Sequence, residues 1–308
     1  MSLIEQAAQR LEQLRQAGVD VPSPPPVEVV AEPKREQTPP KARPKKPLPP
    51  VKREEPETLE STEMALSRRV VLDLDALTAA GIIRPDAPRS QLADEYRVVK
   101  RPLIDNAMGK GAAPIKDGNL IMITSALPNE GKTFTAANLA MSIAMELDNT
   151  VMLVDADVAR PSLLKALGLP PARGLLDVLV DESIDLQHVL LRTNVEKLTI
   201  LPSGTAHPRA TELLASDAMV RLLEDMASRY SDRIIIFDSP PLLVTTEART
   251  LASHMGQVVI VVKAGSTAHA DVKHALATIE ACPVKLMLLN QAKTSVQDGY
   301  GYGYGYGS

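Results

Sequence analysis

The chain has 308 residues, 44 % of them hydrophobic, which suffices for one sizeable core and leaves room for two domains. A formal net charge of −4 gives no whole-chain reason to bind nucleic acid or an anionic membrane surface. One cysteine, Cys282, excludes an internal disulfide framework and fits a reducing compartment; no stretch reaches the roughly 18 to 20 apolar residues of a spanning helix, and Glu5 and Arg10 stand where a signal peptide would be apolar. The expected location is cytoplasmic, with any membrane association supplied by another protein.

In chain order, residues 1–20 read as an amphipathic docking helix. Leu3, Ile4, Ala7, Ala8, Leu11 and Leu14 recur at spacings of three and four, with Glu5, Arg10, Glu12 and Arg15 elsewhere on the wheel. Such a helix is marginal alone and needs a partner helix or the body of the protein to cover its stripe. Residues 21–66 are a disordered linker, since 12 prolines within 22–56, mixed with Lys, Arg and Glu, favour extended polyproline conformations over a packed core. Residues 67–90 contain a short strand and a turn, too small to fold alone, and are expected to dock on the main domain. A helix is expected over 91–101, stopped or kinked at Pro102.

Between 91 and 297 apolar runs alternate with longer amphipathic segments. Strands are predicted at 121–124, 151–154, 198–201, 234–237, 258–262 and 285–289, and helices at 133–147, 211–230 and 271–281. Continuous apolar strands separated by helices imply an α/β fold with a doubly wound, mostly parallel sheet covered on both faces. The last segment, 298–308, alternates Gly and Tyr and cannot be core.

Chemistry concentrates at three strand ends. Pro128, Asn129, Glu130, Gly131, Lys132 and Thr133 follow the first apolar strand and open a helix that continues with Phe134. This is a P-loop pattern with Ala126 in place of its first glycine. A helix N-terminus offers free N–H groups to phosphate, so the loop is read as an ATP site. The second and third strands end in Asp155 with Asp157 two residues on, and in Asp238. In open α/β sheets ligands bind at these carboxyl ends. Mg²⁺ favours hard oxygen ligands and suits Thr133 directly and Asp238 through water, with Asp155 beside them.

These boxes resemble the deviant Walker class of P-loop NTPases. Partition and septum-site ATPases of that class carry a lysine five positions before the P-loop lysine, where this chain has Leu127. Ser-Ala-Leu-Pro-Asn-Glu-Gly-Lys-Thr, Val-Asp-Ala-Asp-Val-Ala-Arg-Pro and Asp-Ser-Pro-Pro, followed by a tyrosine-rich C-terminus, are instead similar to the bacterial tyrosine kinases of exopolysaccharide and capsule synthesis. The N-terminal helix, the Pro-rich tether and the Tyr-Arg-x-x-Lys-Arg-Pro run are closest to the exosortase-associated tyrosine autokinases. The resemblance implies a homo-oligomer, a ring being one form, contacted through Asp94, Arg97 and Lys100, which stand where the family has Glu-x-x-Arg-x-x-Arg. It also implies a separate membrane chain-length regulator of polysaccharide export as activator, recruitment to the inner face of the membrane by that partner, and an adenine contact from Asn290.

Four tyrosines at alternate positions, Tyr300, Tyr302, Tyr304 and Tyr306, leave their phenols unobstructed. Alone this tail fits an adhesive low-complexity segment equally well; beside the kinase-like boxes it reads as a set of phosphoacceptors. Phosphoryl transfer then requires the loop N–H groups and Lys132 on the outer phosphates and a carboxylate to take the phenol proton. Asp155 is the first choice of base and Asp157 orients metal or phenol, an assignment that reverses without conflict. The competing reading is an ATP-switched assembly protein of the same class without kinase activity.

Overall fold

Strands form where the chain strings together Ile, Val, Leu and Met with no polar break. In the computed structural model, which describes residues 68–86, 90–229 and 232–292, they are β1 (Arg68–Arg69), β2 (Leu120–Ser125), β3 (Thr150–Asp155), β4 (Leu191–Arg192), β5 (Leu198–Leu201), β6 (Arg233–Asp238), β7 (Gln257–Lys263) and β8 (Val284–Asn290). The expected docking helix, Pro-rich linker and tyrosine tail lie outside the described residues. The eight strands make one sheet in the order β1-β4-β5-β3-β6-β2-β7-β8, parallel throughout except for the β4·β5 pair. From β2 the chain moves to one side to lay down β3 and β5, and from β6 it crosses back to add β7 and β8. The carboxyl ends of β3, β6 and β2 are therefore neighbours at the reversal.

The helices among the described residues are α1 (Leu74–Ala79), α2 (Gln91–Ala107), α3 (Lys132–Ala144), α4 (Leu163–Ala166), α5 (Leu175–Val180), α6 (Leu186–Val189), α7 (Ala210–Leu214), α8 (Asp217–Arg229), α9 (Thr246–Ala252) and α10 (His269–Ala277). Side chains alternate across each strand, so one sheet face presents Ile121, Ile123, Val151, Leu153, Ile234 and Ile236 to α2 and α3. The opposite face presents Met122, Met152, Val154, Ile235 and Phe237 to α8 and α9. Burial at roughly 1.5–3 kcal/mol per large aliphatic side chain holds the central strands between these two layers.

Several sequence expectations differ from the structure for identifiable reasons. The helix expected to stop or kink at Pro102 runs on to Ala107, because Leu103 and Ile104 beyond it are buried in the core. The donor that Pro102 lacks would have served Val98, an exposed residue whose neighbourhood water can reach. The single helix expected over 211–230 is two, since Ser216 folds its hydroxyl onto the Leu213 carbonyl and receives the Met219 N–H. The turn expected after the first short strand contains α1, capped by Asp73, whose carboxylate accepts from the N–H groups of Asp75 and Ala76. The last strand is apolar but not covered on both faces: β8 is the sheet edge, and Met287 and Leu289 are exposed.

Polar side chains fasten the layers. Asn138 of α3 accepts from Ile83 N–H at 2.8 Å, and Asn194 exchanges hydrogen bonds with both backbone groups of Leu72. Gln257 donates to the carbonyls of Leu103 and Gly118. Lys100, only 3 % exposed, donates to the Ser142 carbonyl at 2.5 Å and pairs with Glu146 at 2.8 Å, which ties α2 to the C-terminal end of α3. Removing that ammonium leaves the Ser142 carbonyl without this donor and the Glu146 carboxylate with only the longer contact to Arg101 at 3.5 Å. Lys100→Met is expected to lower stability by about 2 kcal/mol in urea unfolding; a loss below about 0.5 kcal/mol would reject the tie.

Candidate active site

The phosphate loop spans the gap between β2 and α3. Ala126 occupies the position that the strict pattern gives to glycine, and it is fully buried in the core, so its methyl group has a place. Asn129 has φ 61° and Gly131 has φ 96°, both left-handed. Asparagine is one of the few residues that enters this region readily. At Gly131 a Cβ would lie 2.1 Å from the Asn290 amide nitrogen and displace it, and the left-handed backbone strains any residue but glycine. Gly131 caps α3 without any side-chain hydrogen bond, and the first backbone bond closes only from Thr135 N–H to the Gly131 carbonyl. The N–H groups of Lys132, Thr133 and Phe134 are thus left at the positive end of a 13-residue helix.

The carboxylates stand beside this end. Asp155 and Asp238 are direct partners across the parallel β3·β6 pair, and both are fully buried. Asp155 accepts one bond through Oδ2 from Leu163 N–H at 3.2 Å, while its Oδ1 and both oxygens of Asp238 make no well-formed hydrogen bond, the Thr133 hydroxyl lying only near Asp238. Burial pushes the Asp155 carboxyl up to about 8, with the charge of Asp238 adding to the effect. Burial likewise pushes Asp238 up to about 7, offset in part by the Thr133 hydroxyl and the Lys132 charge. Asp157 is less enclosed; burial raises it, and the Arg160 N–H that it accepts at 3.1 Å pulls it back.

Among the described residues no group of three or more His, Cys, Asp and Glu side chains makes a metal cage. The orphaned oxygens of Asp155 and Asp238, close to the Thr133 hydroxyl, are instead the donor set of a hard cation that takes its other ligands from phosphate and water, which fits Mg²⁺.

Thr133 has a partner that sequence reasoning missed, since its hydroxyl lies 3.0 Å from that of Ser162, the residue before α4. Ser-Leu-Leu after Pro161 was a readable helix-start signal, but nothing in it pointed to the P-loop. Glu130 and Asn290 both hold parts of the loop itself. Glu130 turns its carboxylate into the protein, and the Asn290 amide donates to the Glu130 carbonyl at 2.9 Å, which commits that nitrogen to the loop. The Phe134 ring faces Gly81, so only its backbone is offered to a phosphate. Asp94 and Arg97 form an exposed pair on α2, whereas Lys100 is buried in its intramolecular tie and does not join them at the surface.

A cleft of about 600 Å³ opens over Asp155, lined by Pro161, Leu164, Leu169, Pro171, Ser203 and Gly204 among others. Its mostly apolar walls beside a buried carboxylate suit an aromatic ring with one polar tip.

The raised carboxyls set a pH dependence for the metal- and nucleotide-free protein. In the unfolded chain Asp238 ionises near pH 4, but in the folded chain not until about 7, so folding stability is full at low pH and declines as pH rises through that window. Asp238→Asn is expected to remove part of this decline and to be more stable than the wild type at pH 8, by on the order of 2 kcal/mol. Denaturant midpoints measured at pH 5 and pH 8 check it, and an equal pH slope in the two proteins would contradict it.

Comparison with known proteins places this geometry in a family. A family model described as an AAA domain matches residues 119–291. The tyrosine-protein kinase YwqD of Bacillus subtilis is 32 % identical over 221 residues, covering 71 % of this chain and 89 % of YwqD. The succinoglycan biosynthesis transport protein ExoP of Rhizobium meliloti is 34 % identical over 185 residues, covering 59 % of this chain but only 22 % of that longer relative. Among solved structures, the kinase domain of the Escherichia coli tyrosine kinase ETK superposes with a TM-score of 0.54 at 26 % identity, covering 75 % of this chain and 98 % of that domain. With a matched domain model over more than half its length and a relative matched nearly end to end, the chain belongs to the bacterial tyrosine kinase family.

Proposed function

We propose that the chain is an ATP-dependent protein tyrosine kinase that phosphorylates its own C-terminal cluster, Tyr300, Tyr302, Tyr304 and Tyr306, and so regulates exopolysaccharide synthesis and export. The observation that carries this reading is Asp155, a buried carboxylate with one oxygen lacking a hydrogen-bond partner, which lines a mostly apolar cleft and stands across β3·β6 from Asp238. An ATP-switched assembly protein needs the loop but has no use for an aromatic-sized cleft over a basic carboxylate.

In this reading the loop N–H groups and Lys132 hold the β and γ phosphates. Mg²⁺ would be held by Thr133 and Asp238, and it supplies neutralisation of the phosphate charge. The acceptor ring enters the cleft, and its oxygen attacks the γ-phosphorus as the bond to the β-phosphate oxygen breaks. The phenol proton passes to the ionised carboxylate of Asp155, which lines the cleft that the ring enters. Asp157, less buried and bonded to Arg160 N–H, orients the incoming group.

The acceptors belong to a neighbouring copy in a homo-oligomer, with Asp94 and Arg97 at the contact. Four phosphotyrosines would add roughly −6 to −8 to the tail and expel it from an acidic site. Activation falls to a membrane partner of the export machinery. No helix among the described residues is long and apolar enough to cross a membrane, which accords with recruitment by such a partner.

Incubation of the pure protein with Mg-ATP and partner, followed by phosphotyrosine detection, is expected to label the wild type. Labelling should be absent in Lys132→Ala and in the variant with the four tail tyrosines changed to Phe. Asp155→Asn should retain ATP binding while its transfer rate falls by about 10²- to 10⁴-fold. Undiminished labelling of Asp155→Asn would refute the assignment of the base, and no labelling of the wild type with activator present would refute the kinase.

A further inference from the structure

We propose that Glu130 is a positioning residue that holds the phosphate loop in its binding shape, together with Thr267 from the turn after β7, and that its carboxylate is not a ligand of the nucleotide. Glu130 is the residue before Gly131 and is only 3 % exposed. Its Oε2 accepts the Leu127 N–H at 2.8 Å, three residues back in the same loop, and its Oε1 accepts the Thr267 hydroxyl. The same Thr267 oxygen accepts the Lys263 N–H at the end of β7, at 3.1 Å. On the other side of the peptide, the Glu130 carbonyl is held by the Asn290 amide at the end of β8. One residue therefore joins the loop to the ends of two neighbouring strands.

The chemistry explains why the carboxylate turns inward. Pointed at the phosphates, it would oppose their charge; turned away, it receives two donors and needs no cation. The loop also has a reason to need a brace, because Asn129 and Gly131, which flank Glu130, both sit in the left-handed region. Asn129 adopts that region at some cost and Gly131 is free to leave it, so contacts from outside the loop favour the one shape. If only a fraction of molecules carry the binding shape, the apparent Kd rises by the inverse of that fraction. Chemistry after binding is unaffected, since bound nucleotide selects the braced form. Loss of the brace is thus a defect in affinity and in KM, not in turnover at saturation.

The test is the affinity of the full-length protein for a fluorescent ATP analogue with Mg²⁺, measured beside melting temperature. Glu130→Ala is expected to weaken binding about tenfold and Thr267→Val about threefold to tenfold. Thr267→Ser, which keeps the hydroxyl, should return to within about twofold of the wild type, and the double variant should lose less than the product of the single losses. In Thr267→Val, phosphorylation at saturating ATP should stay within about twofold of the wild type while KM for ATP rises in step with Kd. Unchanged affinity in folded Glu130→Ala and Thr267→Val would overturn the proposal, as would a turnover loss matching the affinity loss. Should Glu130→Ala fail to fold, Thr267→Val with its Ser rescue decides alone. The affinity measurements require no phosphotransfer, so they stand or fall separately from the kinase assignment.

Discussion

Two carboxylates paired across adjacent parallel strands, with three of their four oxygens lacking a well-formed hydrogen bond, are the arrangement that the rest of this molecule has to support. Burying charge without hydrogen bonds is costly, and in the absence of metal and nucleotide burial raises the proton affinity of both groups. What the fold supplies opposite them is the N-terminus of α3, with Lys132 and Thr133 in its first turn. Positive helix end and acidic strand ends face one another across a gap that neither can satisfy alone. An Mg²⁺–triphosphate complex carries both signs of charge and, on the proposed reading, would complete both halves.

Holding that gap open dictates much of the architecture. Asp155 and Asp238 share a register only because β3 and β6 run parallel, and the loop reaches them only because β2 lies on the other side of β6. The strands stay in place because both their faces are covered, and α3 can lie close over one face because Ala136, Ala137 and Ala140 keep its inner side small. The far end of α3 is fixed in turn by Lys100, and its flank by Asn138 bonding to Ile83. The segment before α2 thereby belongs to the same core as the site helix, and through Phe134 against Gly81 it touches the first turn of α3.

The strands and the three acidic ends were legible because their signals are local. An apolar run followed by Asp reads the same whatever surrounds it, and Gly-Lys-Thr after such a run marks a helix start that has no side-chain cap. Roles that depend on distant partners were not legible. Glu130 in the loop reads as a phosphate-site residue until Thr267, 137 positions away, is seen across from it. Lys100 reads as a surface lysine on an amphipathic helix until Ser142 and Glu146 are seen beneath it. Ser162 carried a capping signal but faces Thr133 instead. The edge position of β8 was hidden for a related reason, since hydrophobicity reports that a strand is apolar and not whether the sheet continues beyond it.

Leu127 bears on whether the site serves transfer within its own cleft or nucleotide sharing between two copies. ATPases that sandwich nucleotides across a dimer place a lysine at this position to reach the partner's phosphates. Here the side chain is partly buried and packs against the core cluster that contains Ala126 and Phe237. A lysine in that environment would have to leave the core to reach outward, and the loop backbone, pinned by the Glu130 carboxylate on the Leu127 N–H, would resist the change. The one charge this loop directs at phosphate is therefore Lys132, on the same chain as Asp155 and its cleft. On the proposed reading a second chain then supplies only what enters the cleft, which is the division of labour a phosphotransferase requires.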